Sequence, residues 1–345
     1  MTPAPTAQPL VAALNERIDA VLGPLVDAGA PVAIVGYPNH PNVGDAAIYA
    51  GEVAWLGRRG IRVAYACDLD SYRADVLAAR LGDRGTILLH GGGNLGDLWV
   101  DHQELRERTI RDFPGHRIVS FPQTMHFRDP AALDRARAVF DGHRDLHLLL
   151  RDQRSLDAAR DAFAASAALS PDMAFALRSV PRRAPARTPI VWLAREDDER
   201  EGGRLLPDDP TVRVVDWLDE IQAPMRPRER RARGFATRVG RAVVRRPPPV
   251  SALAGLQVAA CAALATERVA YGRALLEQGD VLVTDRLHGH IVATLMDLPH
   301  VLVDTGYGKL RTFHEAFTAT SPLTRMATSA DDALNSARAL VAARG

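Results

Sequence analysis

Short runs of β-branched and other apolar residues alternate with amphipathic stretches through the first half of this chain, and this alternation limits the fold more than any other feature. Parallel strands need long crossover connections, usually helices, so the pattern is typical of a parallel sheet wrapped by helices. The predicted strands are Val32–Gly36, Ile61–Ala66, Thr86–His90, Arg117–Phe121, His147–Leu150 and Ala168–Ser170. Helices are predicted to begin near Asp45, Ser71, Leu98, Asp129 and Asp152. We therefore predict a doubly wound unit in this half.

A Pro- and Arg-rich stretch at Arg178–Thr188 has neither the strand period nor the helix period, which is typical of a linker. Beyond it, strands are predicted at Pro189–Ala194, Val212–Val215, Val281–Thr284 and His300–Asp304, and helices at Ser251–Gln278, Leu287–Met296 and Met326–Arg344. The chain is therefore expected to be an α/β protein of two Rossmann-like domains, residues 1–180 and 181–345, with an interdomain cleft. Ligands of such sheets bind beyond the carboxyl ends of the strands.

The composition is that of an ordinary folded protein, with 47% apolar and 25% charged residues. The first residues lack the basic region and the apolar core of a leader peptide, and the apolar runs fall short of the ~20 residues that a membrane span needs. A cytoplasmic protein is therefore expected.

Cys67 and Cys261 lie far apart in the sequence, so neither a disulfide framework nor a thiolate metal site is expected.

One segment has an unusual charge, because Gln222–Val250 contains nine arginines and a single acid, Glu229. The net charge of the whole chain is only +1, and no nucleic-acid partner is predicted. We expect a loop with a short basic helix at Arg226–Val244. The segment is either a solvated insertion or a surface for anions. In the second case residues 226–246 would contact anionic lipid headgroups at the inner membrane face, or the diphosphate of a lipid-linked acceptor.

Polar motifs follow the predicted strands. Asn42, Gly44 and Asp45 lie between the first strand and the next helix. The sequence there has neither the dinucleotide fingerprint nor the lysine of a P-loop, so a nicotinamide cofactor is not expected. The motif is either a loop that binds substrate or an ordinary turn in which Asp45 caps the helix.

The third predicted strand ends in His90-Gly91-Gly92-Gly93-Asn94. Consecutive glycines cost backbone entropy, which indicates a close approach to the main chain or a turn that needs positive φ. Bare amides at such a place can hold an anion. Gln123 and His126 end the next strand, and Arg151 ends a later one. Polar residues at successive strand ends favour a lined cleft over coincidence.

In the second half, Asp285-Arg286-Leu287-His288 turns an apolar strand directly into a helix. A helix N-terminus favours anions, and a guanidinium binds phosphate or carboxylate through two parallel hydrogen bonds. Arg286 and His288 are therefore candidates for an anion site. Tyr307 and Lys309 follow the next strand, and the lysine adds a further cation near the same edge.

Taken in order, these motifs resemble the polysaccharide pyruvyl transferase family. The matching motifs are Asn42-x-Gly44-Asp45, Gly91-Gly92-Gly93-Asn94, Phe121-Pro122-Gln123, Arg151-Asp152 with Ser155, Pro171-Asp172, Asp285-Arg286-Leu287-His288 and Tyr307-x-Lys309. The resemblance implies a GT-B-like fold, phosphoenolpyruvate as co-substrate, no bound metal or other cofactor, and substrate recognition by Arg286, His288 and Arg151. The family pattern does not require the arginine-rich insertion, which leaves the acceptor open.

The expected reaction moves a pyruvyl group from phosphoenolpyruvate onto two hydroxyls of a sugar in a glycan, forming a cyclic ketal and releasing phosphate. We expect Arg286, Arg151 and Lys309 to neutralise the donor, and His288 to protonate its methylene carbon. The base is either His90 or His126. Further substrate contacts are predicted for Asn42, Gly44, Asp45, Gly91, Gly92, Gly93, Asn94, Gln123, Asp285 and Tyr307.

Two other interpretations fit the same sequence. A GT-B glycosyltransferase with a nucleotide-sugar donor would place Arg286 and Lys309 on the diphosphate. A non-catalytic protein would instead dock on anionic surfaces through Arg226–Arg246.

Overall fold

A computed structural model describes residues 5–194, 209–218, 227–245, 251–304 and 308–343. Its first sheet has seven strands, all paired in parallel. They are β1 (Val32–Val35), β2 (Val63–Cys67), β3 (Thr86–Leu89), β4 (Gly92–Gly96), β5 (Ile118–His126), β6 (Leu146–Leu150) and β7 (Ser166–Leu169). The helices of this half are α1 (Gln8–Leu22), α2 (Val43–Arg58), α3 (Ala74–Leu81), α4 (Val100–Asp112), α5 (Pro130–Asp141) and α6 (Gln153–Ala162).

The strand order of this sheet is β2-β1-β3-β5-β6-β7. Strand β2 lies on one side of β1, whereas β3 and the later strands β5, β6 and β7 lie on the other side. The connections that follow β1 and β3 therefore diverge, which opens a crevice at the carboxyl ends of these two strands. The motifs at Asn42–Asp45 and His90–Asn94 follow these two strands.

Strands β3 and β4 lie in line along β5 and are separated by a break at His90 and Gly91. Strand β5 pairs with β3 in its first half, where Ile87 faces Ile118, and with β4 in its second half, where Gly92 faces Gln123. The sequence did not predict β4, because Gly92–Gly96 has neither an apolar run nor period-two alternation.

The second sheet has five parallel strands in the order β12-β11-β10-β8-β9. They are β8 (Thr188–Leu193), β9 (Val212–Val215), β10 (Gly279–Thr284), β11 (His300–Val303) and β12 (Thr324–Ala327). Helices α9 (Leu287–Leu295), α10 (Lys309–Phe313) and α11 (Ala330–Ala342) belong to this half. The order repeats that of the first sheet, so the crevice of this sheet lies between β8 and β10.

Helices α7 (Pro227–Arg245) and α8 (Ser251–Leu276) form an antiparallel hairpin. Helix α8 packs on α2 and β2 of the first sheet, although it comes between β9 and β10 of the second. By length and composition this helix is apolar enough to cross a membrane. In the structure one face of this helix packs on α2 and β2 and another is exposed, and the side chain of Arg268 within it is fully buried.

The doubly wound α/β prediction is confirmed, and each predicted strand overlaps an observed one. Two local predictions are wrong. Met326 belongs to strand β12, so the last helix starts at Ala330. Asp45 does not cap α2, because the Asn42 side chain accepts the capping hydrogen bond from the Gly44 amide. The domain boundary at residue 180 stays a prediction, since one apolar cluster contains residues from both sheets.

Candidate active site

The first turns of α2 and α9 meet where the carboxyl edges of the two sheets approach each other. Gly44 lies in the first turn of α2, and His288 lies in the first turn of α9. A Cβ atom built on Gly44 would lie 2.3 Å from Nδ1 of His288, which is far inside contact distance. The glycine is therefore needed for the imidazole to lie at this junction. Both helices direct their N-terminal amides towards the same place.

Arg151, Asp172 and His288 form a buried ionic group at this junction. Arg151 follows β6, and its Nη1 donates to Asp172 Oδ2 at 2.7 Å. Its Nε donates to the hydroxyl of Thr124 at 3.0 Å. The Nε2 atom of His288 lies 3.4 Å from Arg151 Nη1 and 3.4 Å from Asp172 Oδ2. Residues from both sheets therefore share one carboxylate.

Asp172 stays ionised in this group. Burial on its own would raise its pKa, but the hydrogen bond and charge of His288, the charge of Arg151 and the amide of Ala174 hold the pKa well below its usual range. The carboxylate therefore offsets part of the cationic charge around it at neutral pH.

A second buried pair, Glu52 and His90, lies at the crevice of the first sheet. Nδ1 of His90 lies 3.0 Å from both carboxylate oxygens of Glu52. The Gly91 amide donates to Glu52 Oε1 at 2.9 Å, which fixes the carboxylate. Nε2 of His90 is buried and has no hydrogen-bond partner among the described residues. A carboxylate therefore orients this ring and leaves one nitrogen available.

Burial and mutual attraction compete within this pair. Burial raises the pKa of Glu52, and the adjacent His90 only partly offsets the rise. Burial would lower the pKa of His90, but the charge and hydrogen bond of Glu52 outweigh burial and raise it. Buried carboxylate–imidazole pairs with shifted pKa values are typical of acid–base sites.

A small pocket opens beside His90. It is lined by Val35, Gly36, Leu89, His90, Asn94, His102, Leu105 and Arg106. Burial, and then the charge of Arg106, lowers the pKa of His102 to about 4. This imidazole is therefore neutral near pH 7 and can accept or donate a hydrogen bond.

Asp45 lies in the first turn of α2 and is surrounded by cationic groups. Burial would raise its pKa, but His40, His288, His90 and Arg151 together lower it. The Nε2 atom of His40 lies 3.6 Å from Asp45 Oδ2. Asp45 is therefore an ionised carboxylate beside both histidine groups.

The predicted substrate residues Asn94 and Gln123 hold the broken strand together. Gln123 Nε2 donates to the carbonyl of His90 at 2.6 Å and to Asn94 Oδ1 at 3.0 Å. Arg106 donates to the same Asn94 oxygen at 2.7 Å. Gly92 has φ of +128°, and a Cβ at Gly91 would lie 3.0 Å from the Pro122 carbonyl. These contacts fix the backbone on both sides of His90.

Arg286 lies at the crevice of the second sheet and is 4% exposed. Its Nη2 donates to both carboxylate oxygens of Asp216, at 2.9 and 2.7 Å. Its Nε donates to the carbonyl of Ala194 at 3.2 Å, and its guanidinium lies over the ring of Trp217. The guanidinium is thus held by a carboxylate at the point where strands β8, β9 and β10 end.

The remaining predicted residues lie in three places. His126 ends β5 opposite Gly96, at the far end of β4 from His90, and its Nε2 accepts a hydrogen bond from Arg128. Asp285 directly follows β10. Tyr307 lies outside the described residues, as does the side chain of Lys309, while the backbone of Lys309 begins α10. In the described ranges no three His, Cys, Asp or Glu side chains are arranged to hold a metal ion.

Several residues of the site were missed, among them Asp172 and His102, and for two others the sequence contains a signal. Glu52 lies seven residues after Asp45, which places both carboxylates on one face of a helix. Asp216 directly follows the predicted strand Val212–Val215, where the strand-end argument applies.

Fold and site together define a class: an α/β protein of two doubly wound sheets with buried acid–base groups where their carboxyl edges meet. Residues 42–307 match the family described as polysaccharide pyruvyl transferase. The chain belongs to this family and is therefore a transferase.

Several proteins are similar to this chain. Pyruvyl transferase 1 of Schizosaccharomyces pombe is 31% identical over 83% of this chain and 69% of its own length. The Bacillus subtilis protein EpsO, named as a candidate pyruvyl transferase, is 26% identical over 91% of this chain and 93% of its own. A solved structure of a functionally uncharacterized Klebsiella pneumoniae protein superimposes with a TM-score of 0.55, covering 92% of this chain and 99% of that one. Its 15% identity shows the shared fold alone.

Proposed function

We propose that this transferase moves the pyruvyl group of phosphoenolpyruvate onto two hydroxyls of a sugar in a glycan, forming a cyclic ketal and releasing phosphate. The observation that carries the proposal is the junction of Arg151, Asp172 and His288 beside the Glu52–His90 pair. The junction supplies a cation and two imidazoles within one buried site.

The donor fits the cationic side of the site. Phosphoenolpyruvate carries a phosphate and a carboxylate, and two helix N-termini with Arg151 surround the junction. Arg286 is the donor residue proposed from the second sheet, and Lys309 is proposed with it. The buried Asp216 holds the Arg286 guanidinium in one orientation, so this arginine is preorganised.

His288 is proposed as the general acid. It gives a proton to the methylene carbon, one sugar hydroxyl adds to the resulting cationic carbon, and the C–O bond to phosphate breaks. The second hydroxyl then adds and closes the ketal. His90 takes each hydroxyl proton in turn; one of the two is passed on to restore His288, and the other leaves with phosphate. Asp172 Oδ2, 3.4 Å from Nε2 of His288, orients the ring for the first step.

His90 is proposed as the base that takes the hydroxyl protons. Its Nε2 is buried without a partner among the described residues, and Glu52 holds the opposite nitrogen. The small pocket beside it, with His102 and Asn94 in its wall, marks the side from which an acceptor hydroxyl is proposed to reach His90. Asp45 is proposed to orient the sugar, and a lipid-linked glycan is the proposed form of the acceptor.

The test is to incubate the purified chain with phosphoenolpyruvate and a panel of galactose, mannose, glucuronate and N-acetylmannosamine glycosides. Phosphate release together with the mass gain of one pyruvyl ketal on the sugar is expected. Transfer from nucleotide sugars with no reaction of phosphoenolpyruvate would show a glycosyltransferase and overturn the proposal.

A variant assay places the acid. His288→Ala should lower turnover by about a hundredfold or more, because an acid in contact with the reacting carbon is lost. His116→Ala, at a half-buried imidazole just before β5, at the opposite edge of the sheet from the site, is the matched control and should retain activity. Equal turnover of the two variants would remove His288 from the mechanism.

A further inference from the structure

The outward face of α7 is strongly basic. Six arginines of this helix are exposed: Arg228, Arg230, Arg231, Arg238, Arg241 and Arg245. The one acid of the helix, Glu229, is buried and lies 3.2 Å from Nε of Arg268 on α8. Along the whole helix, therefore, no carboxylate of α7 itself reaches the solvent beside these arginines.

Helix α8 presents a different surface next to this basic face. Residues 251–266 contain no charged side chain. The exposed positions of this stretch include Leu256, Ala259, Ala263 and Thr266. Leu256 is 46% exposed, and Phe235 on α7 is 42% exposed among the arginines. The hairpin thus presents exposed arginines together with exposed apolar groups.

The hairpin is fixed to the rim of the candidate active site. Gln257 Nε2 donates to the hydroxyl of Ser71 at 2.7 Å, and Arg73 Nη1 donates to the Val243 carbonyl at 3.1 Å. Arg233 is near enough to lower the pKa of His40, after the larger effects of burial and other charges. The hairpin is therefore a rigid part of the fold beside the loop that leads into α2.

We propose that the solvent face of the α7–α8 hairpin docks on a membrane surface rich in anionic phospholipids. The arginines contact headgroup phosphates, while Phe235 and Leu256 enter the interfacial layer. Each arginine near such a surface strengthens binding by about fivefold, so a few of them suffice for reversible attachment. Nucleic acid is less well matched, because its backbone offers nothing to the exposed apolar groups.

This surface goes beyond the proposed reaction and does not depend on it. If both hold, docking places the loop that leads into α2 beside the bilayer, where a lipid-linked acceptor would be found. Binding to vesicles is measured without any substrate, so failure of either proposal leaves the other standing.

The experiment measures sedimentation of the full chain with phosphatidylcholine vesicles, with and without phosphatidylglycerol. Binding should require phosphatidylglycerol and should weaken as salt rises. The triple variant Arg231→Gln, Arg238→Gln, Arg245→Gln should lose about a hundredfold in affinity. The matched control Arg84→Gln, Arg135→Gln, Arg325→Gln removes three exposed arginines from other elements and should bind as the parent does.

Four outcomes would overturn the proposal. The first is equal binding with and without phosphatidylglycerol, and the second is equal affinity of the two triple variants. The third is binding to duplex DNA together with no binding to vesicles, which would indicate a nucleic-acid surface. Release from vesicles by inorganic pyrophosphate, but not by sodium chloride of the same ionic strength, would instead show a diphosphate pocket. Circular dichroism spectra and urea unfolding midpoints equal to those of the parent show that both triple variants are folded.

Discussion

At the scale of single residues, Gly44 lets the two halves approach closely at the candidate site. Its missing side chain leaves room for the ring of His288, which is the proposed acid. The neighbouring pair of Glu52 and His90 depends on burial instead, because a carboxylate and an imidazole 3.0 Å apart are held away from water. One substitution tests each of these two features, Gly44 and the Glu52–His90 pair, through its effect on the reaction rate.

Gly44→Ala should reduce kcat by at least tenfold and should also lower the unfolding free energy by about 1–3 kcal/mol, because the methyl group overpacks a buried junction. The new methyl group would lie 2.3 Å from Nδ1 and 2.9 Å from Cβ of His288, so the whole ring must move. Alanine in a helix is otherwise favoured over glycine by about 1 kcal/mol. The control is Gly57→Ala in the same helix, where a Cβ meets nothing within 4 Å. The measurements are steady-state kinetics and urea unfolding, and equal kcat for the two variants would contradict the expected result.

Glu52→Gln should lower kcat and move the acidic limb of the pH–rate profile to lower pH. The Glu52 carboxylate raises the pKa of His90, so its loss lets burial lower that pKa. A base is active above its pKa, which gives the direction of the move. Glu107→Gln, at another buried carboxylate, is the control. A purely structural role of Glu52 would lower kcat with no movement of the profile.

At the scale of elements, the α7–α8 hairpin is joined internally by a buried ion pair. Arg268 is fully buried, and Glu229 of α7 lies 3.2 Å from it. Burying two charges is costly, so the pair adds little net stability compared with two apolar residues. Removal of one partner is different, because the other charge then stays in a poorly solvated place.

Glu229→Ala should therefore lower the unfolding free energy by about 3 kcal/mol or more. Asp134→Ala removes one partner of the exposed Arg137–Asp134 pair and should cost less than about 1 kcal/mol. Chemical denaturation of the two variants measures both values. A cost of Glu229→Ala no greater than that of Asp134→Ala would mean that the hairpin does not depend on this contact.

The sequence predicted helices and strands well where the apolar residues follow a clear period. It missed strands whose residues are glycine-rich or polar. The strands that form the centre of each sheet are apolar and were found, and the arginine-rich segment was correctly given a helix. Strand β4 is glycine-rich, and β12 is short and lies at an edge, so neither has an apolar run. The glycine motif showed where the backbone is unusual, but not that Gln123 and Arg106 hold it. Such long-range hydrogen bonds leave no trace in local spacing.

At the scale of the whole molecule, the shared strand order of the two sheets explains why Gly44, Arg151 and His288, which were predicted from separate motifs, lie together. In each sheet the strand order reverses at one point, and the crevice lies there. The first turns of α2 and α9 contact each other, which brings the two crevices together. The sequence could place Arg151 and His288 at strand ends, but not show that Asp172 is shared between them. That contact depends on how the sheets are oriented, which no local pattern encodes.

A buried chain of histidines gives the second sheet a global dependence on pH. Nδ1 of His290 lies 2.7 Å from Nε2 of His300, and the other nitrogen of His290 lies 2.8 Å from the Thr318 hydroxyl. Burial lowers the pKa of His300 to about 4 and that of His290 well below its usual value. Both imidazoles are therefore neutral in the folded protein, whereas in the unfolded chain they titrate near pH 6.5.

Because the unfolded chain takes up these protons first, stability should be greatest above pH 6.5 and fall as the pH drops towards 4. For His300 alone the loss is about 3 kcal/mol across that range. His90 has the opposite effect on stability, because its raised pKa favours folding as the pH falls. A variant of His300 is therefore needed to separate the contributions of His300 and His90. His300→Gln should be less stable than the parent at pH 7.5, but its unfolding free energy should fall less steeply between pH 6.5 and 4.5. Urea unfolding across this range measures both slopes, and parallel slopes would show that His300 is protonated equally in the folded and unfolded states.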